Sequence, residues 1–348
     1  MTLQDHHGRR FNYLRLSVTD VCNFSCNYCL PDGYQCSDST PPLSVDEIRR
    51  VVTAFARQGT RKIRITGGEP SVRRDLPEII RTVAAVPGID DIALTTNGWK
   101  LPTFLPDWID AGLTRLNVSI DSLDPRQFKA ITGHDRLQDL LDGLAMAHEM
   151  GFNDIKVNAV LMRGHNADQL PHFLNWIRTT PVSLRFIELM QTSDNQDFFE
   201  ENHISGDSIK AQLLDSGWQP VLRKSTDGPA QEFWHPDYAG RIGLIMPYSK
   251  DFCSSCNRLR VSANGQLHLC LFGDKGYDFP NLPHFKDEAN GVALTNNPFD
   301  PQGREPAFYV NVQQGEASVV QPDPGVTTDE FLYFFDRPDQ PITYLSRS

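Results

Sequence analysis

Residues 13–34 read YLRLSVTDVCNFSCNYCLPDGY, an apolar run that leads directly into three closely spaced cysteines. Leu14–Thr19 has the alternating apolar and β-branched composition of a strand. Cys22, Cys26 and Cys29 follow that run, and three thiolates in so short a segment can surround one inorganic centre. The stretch therefore predicts a strand that carries a thiolate site at its carboxyl end.

Five more strand patterns follow, and longer helical patterns separate them. This alternation is typical of repeated βα units around a parallel sheet, and it predicts an α/β fold of the TIM-barrel kind. The further strands are predicted at Lys62–Thr66, Ile92–Thr96, Leu116–Ile120, Ile155–Leu161 and Leu184–Leu189.

The first intervening helix has the clearest sequence signals. Ser44 and Glu47 form a capping box at its start, and Gly59 ends it. Later helices are predicted over Leu76–Val86, Pro102–Ala111, Leu137–Met150 and Gln169–Arg178. Such helices provide the crossovers that neighbouring parallel strands require.

Polar clusters end or follow five of the strands, and a sixth cluster, Lys156 with Asn158, lies on the fifth strand. In barrels of this kind the loops at the carboxyl ends of the strands carry the chemistry, so these clusters predict one site at one mouth. After the cysteines, the clusters are Gly67–Pro70, Thr95–Gly98, Ser119 with Asp121, Lys156 with Asn158, and Glu188 with Met190.

Charge and composition exclude several classes of protein. The 348 residues include 33 basic and 44 acidic side chains, a net charge of −11, which argues against broad binding to nucleic acid or anionic membranes. No run of about 18 apolar residues indicates a membrane span, and no apolar leader precedes a cleavage site, so we expect a cytoplasmic protein. Its 7 cysteines then favour metal or catalytic roles over disulfides.

The residues alone leave the nature of both cysteine groups open. Three thiolates select either zinc or an iron–sulfur cluster, and a closed zinc site would need a fourth ligand such as Cys36. Cys253, Cys256 and Cys270 form a second group, which could equally be half of a zinc ribbon with His268 nearby. A three-thiolate iron cluster would keep one iron open to a small molecule.

Several motifs together resemble a known family. CNFSCNYC, with Tyr28 before its third cysteine, resembles the CxxxCxxC signature of radical S-adenosylmethionine (SAM) enzymes, and GGEP at Gly67–Pro70 resembles their SAM-binding element. With CSSCNRLR and Cys270 added, the chain resembles the GTP 3',8-cyclase family between about Tyr13 and Phe272. The resemblance implies a partial (β/α)6 TIM-like barrel of radical SAM type over 1–197. It also implies a C-terminal cap over 198–272 that carries a second cluster, and a divergent tail over 273–348.

The resemblance implies two 4Fe–4S clusters, SAM as cofactor and GTP as substrate. Electron delivery would cleave SAM to a 5'-deoxyadenosyl radical that takes hydrogen from C3' of GTP, which then closes onto C8 in the lyase reaction of molybdenum cofactor biosynthesis. An external electron donor and the next enzyme of that pathway would be partners. The sequence leaves a homodimer open.

Site residues carry over by position. The cluster ligands would be Cys22, Cys26 and Cys29, and Cys253, Cys256 and Cys270; the SAM contacts would be Tyr28, Gly68, Ser119 and Met190; the GTP contacts would be Arg15, Arg64, Thr95, Lys156, Arg258, Leu259 and Arg260. Arg258 and Arg260 would also position the substrate for catalysis. Arginine suits a triphosphate because it stays ionised and offers forked hydrogen bonds, although an isolated RLR is also typical of a solvated strand face.

The tail departs from the family pattern. The family ends in Gly-Gly, whereas this chain ends in TYLSRS. A radical SAM peptide maturase, an impaired paralogue and a cluster-based sensor therefore remain alternatives at this level.

Overall fold

The computed structural model describes residues 10–35, 41–191, 195–222, 228–249, 252 and 256–268, and the backbone of six short strands beyond residue 276. Its centre is a parallel sheet in which the first six strands lie side by side in chain order. These strands are β1 Tyr13–Ser17, β2 Lys62–Thr66, β3 Asp91–Thr96, β4 Arg115–Ser119, β5 Ile155–Leu161 and β6 Ser183–Glu188. The predicted α/β fold with six consecutive parallel strands is confirmed.

Helices connect these strands: α1 Val45–Arg57, α2 Leu76–Ala84, α3 Leu101–Asp110, α4 Pro125–Thr132, α5 Leu137–Glu149 and α6 Leu170–Ile177. The predicted capping box of α1 is present, with Ser44 and Glu47 each accepting a hydrogen bond from the other's backbone N–H. Sequence analysis missed α4, which begins at an Asp124 N-cap followed by Pro125.

Beyond β6 the chain extends the same sheet at both edges. After α7 Gln196–Asn202 and α8 Asp207–Asp215, strands β7 Gln219–Pro220, β8 Gln231–Trp234 and β9 Arg241–Ile245 continue outward from β6. Strands β10 Arg258–Val261, β11 Gln266–His268 and β12 Tyr277–Asp278 continue outward from β1, and β10 runs parallel to it. Helices and paired strands thus occupy much of this part of the chain. The division into domains at 197 and 272 stays a prediction.

Five further strands lie in the tail. β13 Val292–Leu294, β14 Phe308–Gln313 and β15 Glu316–Val320 form an antiparallel sheet, and β16 Leu332–Tyr333 pairs with β17 Tyr344–Leu345. No helix in the described part of the chain has the length and apolarity that a bilayer crossing requires.

Side chains along each strand alternate between two faces. One face packs under the helices as the core, and the other faces the inside of the barrel, the lumen. Leu14, Leu16, Ile63 and Ile65 are fully buried in the layer that the helices cover. Burying such a side chain stabilises the fold by about 1.5–3 kcal/mol. Neighbouring positions such as Arg15 point to the opposite face. The strands therefore supply a polar inner surface around the barrel axis.

Candidate active site

The cysteine loop rests on the end of α4. The backbone N–H groups of Ser25 and Asn27 donate to the carbonyls of Thr132 and Ile131 over 3.3 and 3.0 Å. The last carbonyls of a helix lack partners within it, so the loop satisfies groups that would otherwise be unpaired. This contact fixes the backbone between the first and third cysteines.

The Gly-Gly-Glu loop after β2 lies directly against the residues that precede Cys22. Gly68 N donates to Thr19 O and Glu69 N donates to Val21 O, each over 2.8 Å. A Cβ atom at Gly67 would collide with the carbonyl oxygen of Thr19, and one at Gly68 with that of Val21. Both positions therefore need glycine because two loop backbones are in contact.

A buried carboxylate joins the second and third strand ends. Glu69, 1% exposed, accepts hydrogen bonds from Ser71 N at 2.9 Å, Thr96 Oγ1 at 2.7 Å and Asn97 N at 2.5 Å. Asn97 Nδ2 in turn donates to Asn23 Oδ1 over 2.9 Å, within the cysteine loop. Burial raises the pKa of Glu69, while these hydrogen bonds oppose the rise. The network positions the cysteine loop relative to β3.

A second buried carboxylate holds the aromatic residue of the motif. The hydroxyl of Tyr28 donates to Asp121 Oδ2 over 3.1 Å, and Val160 N donates to Asp121 Oδ1 over 2.8 Å. Burial raises the pKa of Asp121 to about 6. Tyr28, a predicted SAM contact, is thus attached to the ends of β4 and β5.

Cys22 and Cys26 are partly buried, Cys29 is exposed, and the three thiols lie near enough to affect one another's pKa. Burial is the main reason that the pKa of Cys22, Cys26 and Cys29 is raised, and the charges of the neighbouring thiols raise it further for Cys26 and Cys29. A metal centre removes this penalty because it binds the thiolate and displaces the proton. Three closely coupled sulfur donors fit an iron–sulfur cluster. Among the described residues no three His, Cys, Asp or Glu side chains converge on a single ion.

The other predicted SAM contacts lie at the same end of the sheet. Gly68 is in the loop after β2, and Ser119 ends β4 in register with Asn158. Met190 follows β6, and its carbonyl accepts a hydrogen bond of 3.0 Å from Asn195 Nδ2. The structure therefore places these residues and the cysteine loop at the carboxyl ends of the parallel strands.

Three predicted GTP contacts stand side by side across the sheet. Arg260 on β10, Arg15 on β1 and Arg64 on β2 occupy one register level. Burial lowers the pKa of Arg15, and the charge of Arg260 lowers it further. Arg64 also has a lowered pKa, mainly because of burial. Within the described residues the Nε atoms of Arg15 and Arg64 are buried without a hydrogen-bond partner. An anionic ligand would satisfy both.

Thr95 and Lys156 lie on one further level of the lumen, on either side of Asn117. Thr95 Oγ1 and Asn117 Oδ1 are buried and have no hydrogen-bond partner among the described residues. Burial is the largest of the causes that lower the pKa of Lys156 to about 8, and the charge of Arg185 is the next. This level therefore offers a hydroxyl, an amide oxygen and an amine to a polar ligand.

The RLR segment divides between the two faces of β10. Arg258 pairs in register with Tyr13, and its guanidinium donates to Cys256 Sγ over 3.7 Å. Leu259, 1% exposed, belongs to the apolar core, so only its backbone remains for the predicted GTP contact. Cys36 and the predicted cluster ligands Cys253 and Cys270 lie outside the described residues.

A cavity of about 800 Å³ lies at the amino ends of the strands, opposite the cysteine loop. Its lining includes three cations that sequence analysis did not select, Lys62, Arg115 and Arg185. Arg185 is 6% exposed within the apolar run LRFIE, the same signal that selected Arg15 and Arg64. The two ends of the lumen thus differ in chemistry, with thiols at one and charged groups at the other.

Comparisons with known proteins agree with this geometry. A model of the radical SAM superfamily matches residues 16–177, and a model described as Molybdenum Cofactor Synthesis C matches residues 182–295. The structure of Streptococcus suis SuiB bound to S-adenosylmethionine shares the fold, with a TM-score of 0.57 and 11% identity. That match covers 81% of this chain and 65% of SuiB, so the chain spans just under two thirds of SuiB's length. The fold and thiol site are those of a radical SAM protein, which implies SAM and iron–sulfur cofactors.

Sequence relatives narrow the class. A GTP 3',8-cyclase of Aeromonas hydrophila subsp. hydrophila is 58% identical over 285 residues, which cover 80% of this chain and 83% of the relative. A GTP 3',8-cyclase of Vibrio cholerae serotype O1 is 57% identical over 291 residues, which cover 83% of this chain and 87% of that relative. The chain belongs to the GTP 3',8-cyclase family.

Proposed function

We propose that this enzyme converts GTP to (8S)-3',8-cyclo-7,8-dihydroguanosine 5'-triphosphate, a lyase-class step in molybdenum cofactor biosynthesis. The observation that carries the proposal is the row of Arg260, Arg15 and Arg64 inside the lumen. Burying such a row without a ligand is costly, because the charges repel one another and have lost water. A nucleoside triphosphate would provide the anion that binds this row. The relatives are named GTP 3',8-cyclase, which indicates GTP as that nucleotide.

The lumen can direct one substrate along its axis. The arginine row and the cavity at the amino ends of the strands would hold the triphosphate, since guanidinium groups bind phosphate oxygens in pairs. Thr95 and Asn117 would then face the sugar or base with oxygen atoms that have no hydrogen-bond partner in the described part of the chain. The reacting part of the nucleotide would thereby point toward the cysteine end.

The cysteine end would hold the cofactors. Cys22, Cys26 and Cys29 would hold the cluster, which together with SAM would supply the radical chemistry needed to remove hydrogen from C3'. The chain's own contribution is positioning: Glu69 and Asp121 orient the loops, and Tyr28, Gly68, Ser119 and Met190 would contact SAM. Enclosure by the barrel would exclude water and other hydrogen donors from the radical.

Cys256 is the predicted ligand of the second cluster that lies within the described residues. This residue precedes β10, and Arg258 reaches its sulfur from within that strand. A cluster held by Cys253, Cys256 and Cys270 would thus stand beside the arginines that bind the substrate. Arg258 and Arg260 would position GTP between the two clusters.

The enzyme would work with an electron donor and with the next enzyme of the pathway, in the cytoplasm. Reductive cleavage of SAM needs an external electron donor, and the product would pass to the next enzyme of the pathway. Reduced thiols and oxygen-sensitive clusters favour the cytoplasm, where cysteines stay unpaired. A homodimer also stays a proposal.

An anaerobic assay tests the function. The reconstituted chain is incubated with SAM, GTP and dithionite, and cyclised GTP and 5'-deoxyadenosine are measured by mass spectrometry. Formation of both supports the proposal. Formation of 5'-deoxyadenosine without cyclised GTP would indicate another substrate, such as a peptide, and absence of both would favour a sensor.

A further inference from the structure

An ion-pair chain begins on β2 and β3 at the amino ends of the strands. Lys62 Nζ lies 2.8 Å from Asp91 Oδ2, and Arg115 Nε lies 2.8 Å from the other oxygen, Oδ1, of the same carboxylate. Lys62 and Asp91 are the first residues of their strands and pair in register. One carboxylate therefore links a lysine to an arginine on the wall of the cavity.

The chain continues through Arg115 to β5. Arg115 NH1 lies 3.0 Å from Asp154 Oδ2, and Asp154 Oδ1 lies 3.7 Å from Lys156 Nζ. The guanidinium thus contacts two carboxylates through different nitrogen atoms. The result is an alternating series of charges across four adjacent strands, with a lysine at each end.

All five side chains line the cavity of about 800 Å³. These side chains keep 14–40% of their surface exposed. Ion pairs in contact with water contribute about 0–1 kcal/mol each, so stability alone is a weak reason for so ordered an arrangement. The carboxylates also oppose the binding of an anion in this cavity, because their charge repels it. The placement of Asp91 and Asp154 is explained if these carboxylates hold the neighbouring cations in position rather than attract the ligand.

We propose that Asp91, Arg115 and Asp154 form a positioning frame that holds the ammonium groups of Lys62 and Lys156 against the triphosphate of the nucleotide. The identity of the nucleotide rests on the proposed function. In this arrangement the two lysines bind phosphate, and the three central residues act only through them. The frame spaces the lysines before the substrate arrives, which reduces the ordering cost of binding.

Asp91→Asn tests the frame because charge and geometry predict opposite results. The substitution keeps the shape of the side chain and removes one negative charge from the cavity. If only net charge mattered, anions would bind more tightly. The frame predicts weaker binding, because asparagine keeps only one acceptor oxygen and presents an NH2 group in place of the other, so Lys62 and Arg115 can no longer both be held. We expect the Kd of inorganic triphosphate and of GTP to rise about tenfold.

The measurement is calorimetric titration of the anaerobically reconstituted full chain with inorganic triphosphate, GTP and guanosine. Guanosine lacks phosphate, so its Kd should stay within about twofold of the wild-type value if the change is confined to the lysines. Asp46→Asn is the matched control, because it makes the same charge change at an exposed ion pair with Arg49 on α1. Asp154→Asn tests the other half of the frame should Asp91→Asn fail to fold.

Weaker binding of triphosphate and GTP, with guanosine and the Asp46→Asn control unchanged, supports the frame. Equal or tighter binding of triphosphate in both Asp91→Asn and Asp154→Asn overturns it, as does failure of the wild-type chain to bind triphosphate. Cyclised GTP is assayed separately in wild type. If wild type forms cyclised GTP but the variants bind triphosphate as tightly as wild type does, only the frame is overturned. If the variants bind triphosphate more weakly but wild type forms no cyclised GTP, the frame is supported and the proposed function is contradicted.

Discussion

Tyr28 and Asp121 are joined by a hydrogen bond of 3.1 Å between the tyrosine hydroxyl and the carboxylate. The contact links the cysteine loop to the end of β4, although 93 residues separate the two in sequence. Since Asp121 also accepts from Val160 N, one carboxylate fixes the loop against two strands. The position of the thiols thus depends on a buried side chain that is not among the predicted cluster ligands.

Removal of that carboxylate should destabilise the protein more than removal of its partner. Asp121→Ala leaves Tyr28 and Val160 N without their acceptor, and we expect a loss of about 2–4 kcal/mol in the free energy of unfolding. Tyr28→Phe removes one hydrogen bond and should cost about 1 kcal/mol. Urea denaturation of both variants measures the difference. Equal losses in the two would mean that Asp121 does not position the loop.

The contact between the two loops gives a second prediction. Gly68→Ala places a Cβ atom against the carbonyl of Val21, so we expect the melting temperature to fall and the protein to retain less iron after reconstitution. Gly164→Ala is the control, since Gly164 has a φ of 72° but no atom within 4 Å of an added Cβ. It should cost only about 1 kcal/mol. A Gly68→Ala variant as stable as the control would contradict the close packing.

Lys156 gives a pH dependence whose sign follows from its lowered pKa of about 8. The free amine gains a proton below that pH and loses it above. GTP affinity should be full below pH 8 and should fall as the pH rises through it, by up to about tenfold per unit. Four neighbouring charges also affect the pKa of this amine. The cations Arg185, Arg115 and Lys62 lower it, and the carboxylate of Asp154 raises it.

The control for this titration is Lys156→Arg, because arginine stays protonated throughout the range. Titration with GTP between pH 7 and 9.5 in both proteins should show a decline in wild type and a flat profile in the variant. Parallel profiles would show that another group causes the decline.

Iron content tests the two thiolate sites. Two 4Fe–4S clusters predict about eight iron atoms per chain, and Cys26→Ala should reduce this to about four. Cys256→Ala should cause the same loss at the second site. Iron analysis and electron paramagnetic resonance of the reduced proteins measure both. Unchanged iron in Cys26→Ala, or zinc in place of iron, would refute the assignment of the first site.

The sequence predicted the barrel well because each strand and helix carries its own local signals. The cysteine spacing indicated the class of site, and Arg15 and Arg64 were recognisable as charges within apolar strands. Helix α4 was missed because its signal, an Asp-Pro pair, is short. Helices α7 and α8 were missed because they are brief and mostly polar.

The supporting residues could not be predicted in the same way. The roles of Glu69 and Asp121 depend on partners that only the folded chain brings within hydrogen-bond distance. The ion-pair chain around Arg115 likewise depends on register between four strands. Such contacts between distant segments leave no periodic pattern in the sequence.

The proposed function requires that one lumen places the nucleotide's C3' beside the SAM-binding end. The direct measurement is mass spectrometry of 5'-deoxyadenosine after anaerobic turnover with GTP deuterated at C3'. We predict that deuterium appears in 5'-deoxyadenosine together with cyclised GTP. Unlabelled 5'-deoxyadenosine alongside unchanged GTP would contradict the claim.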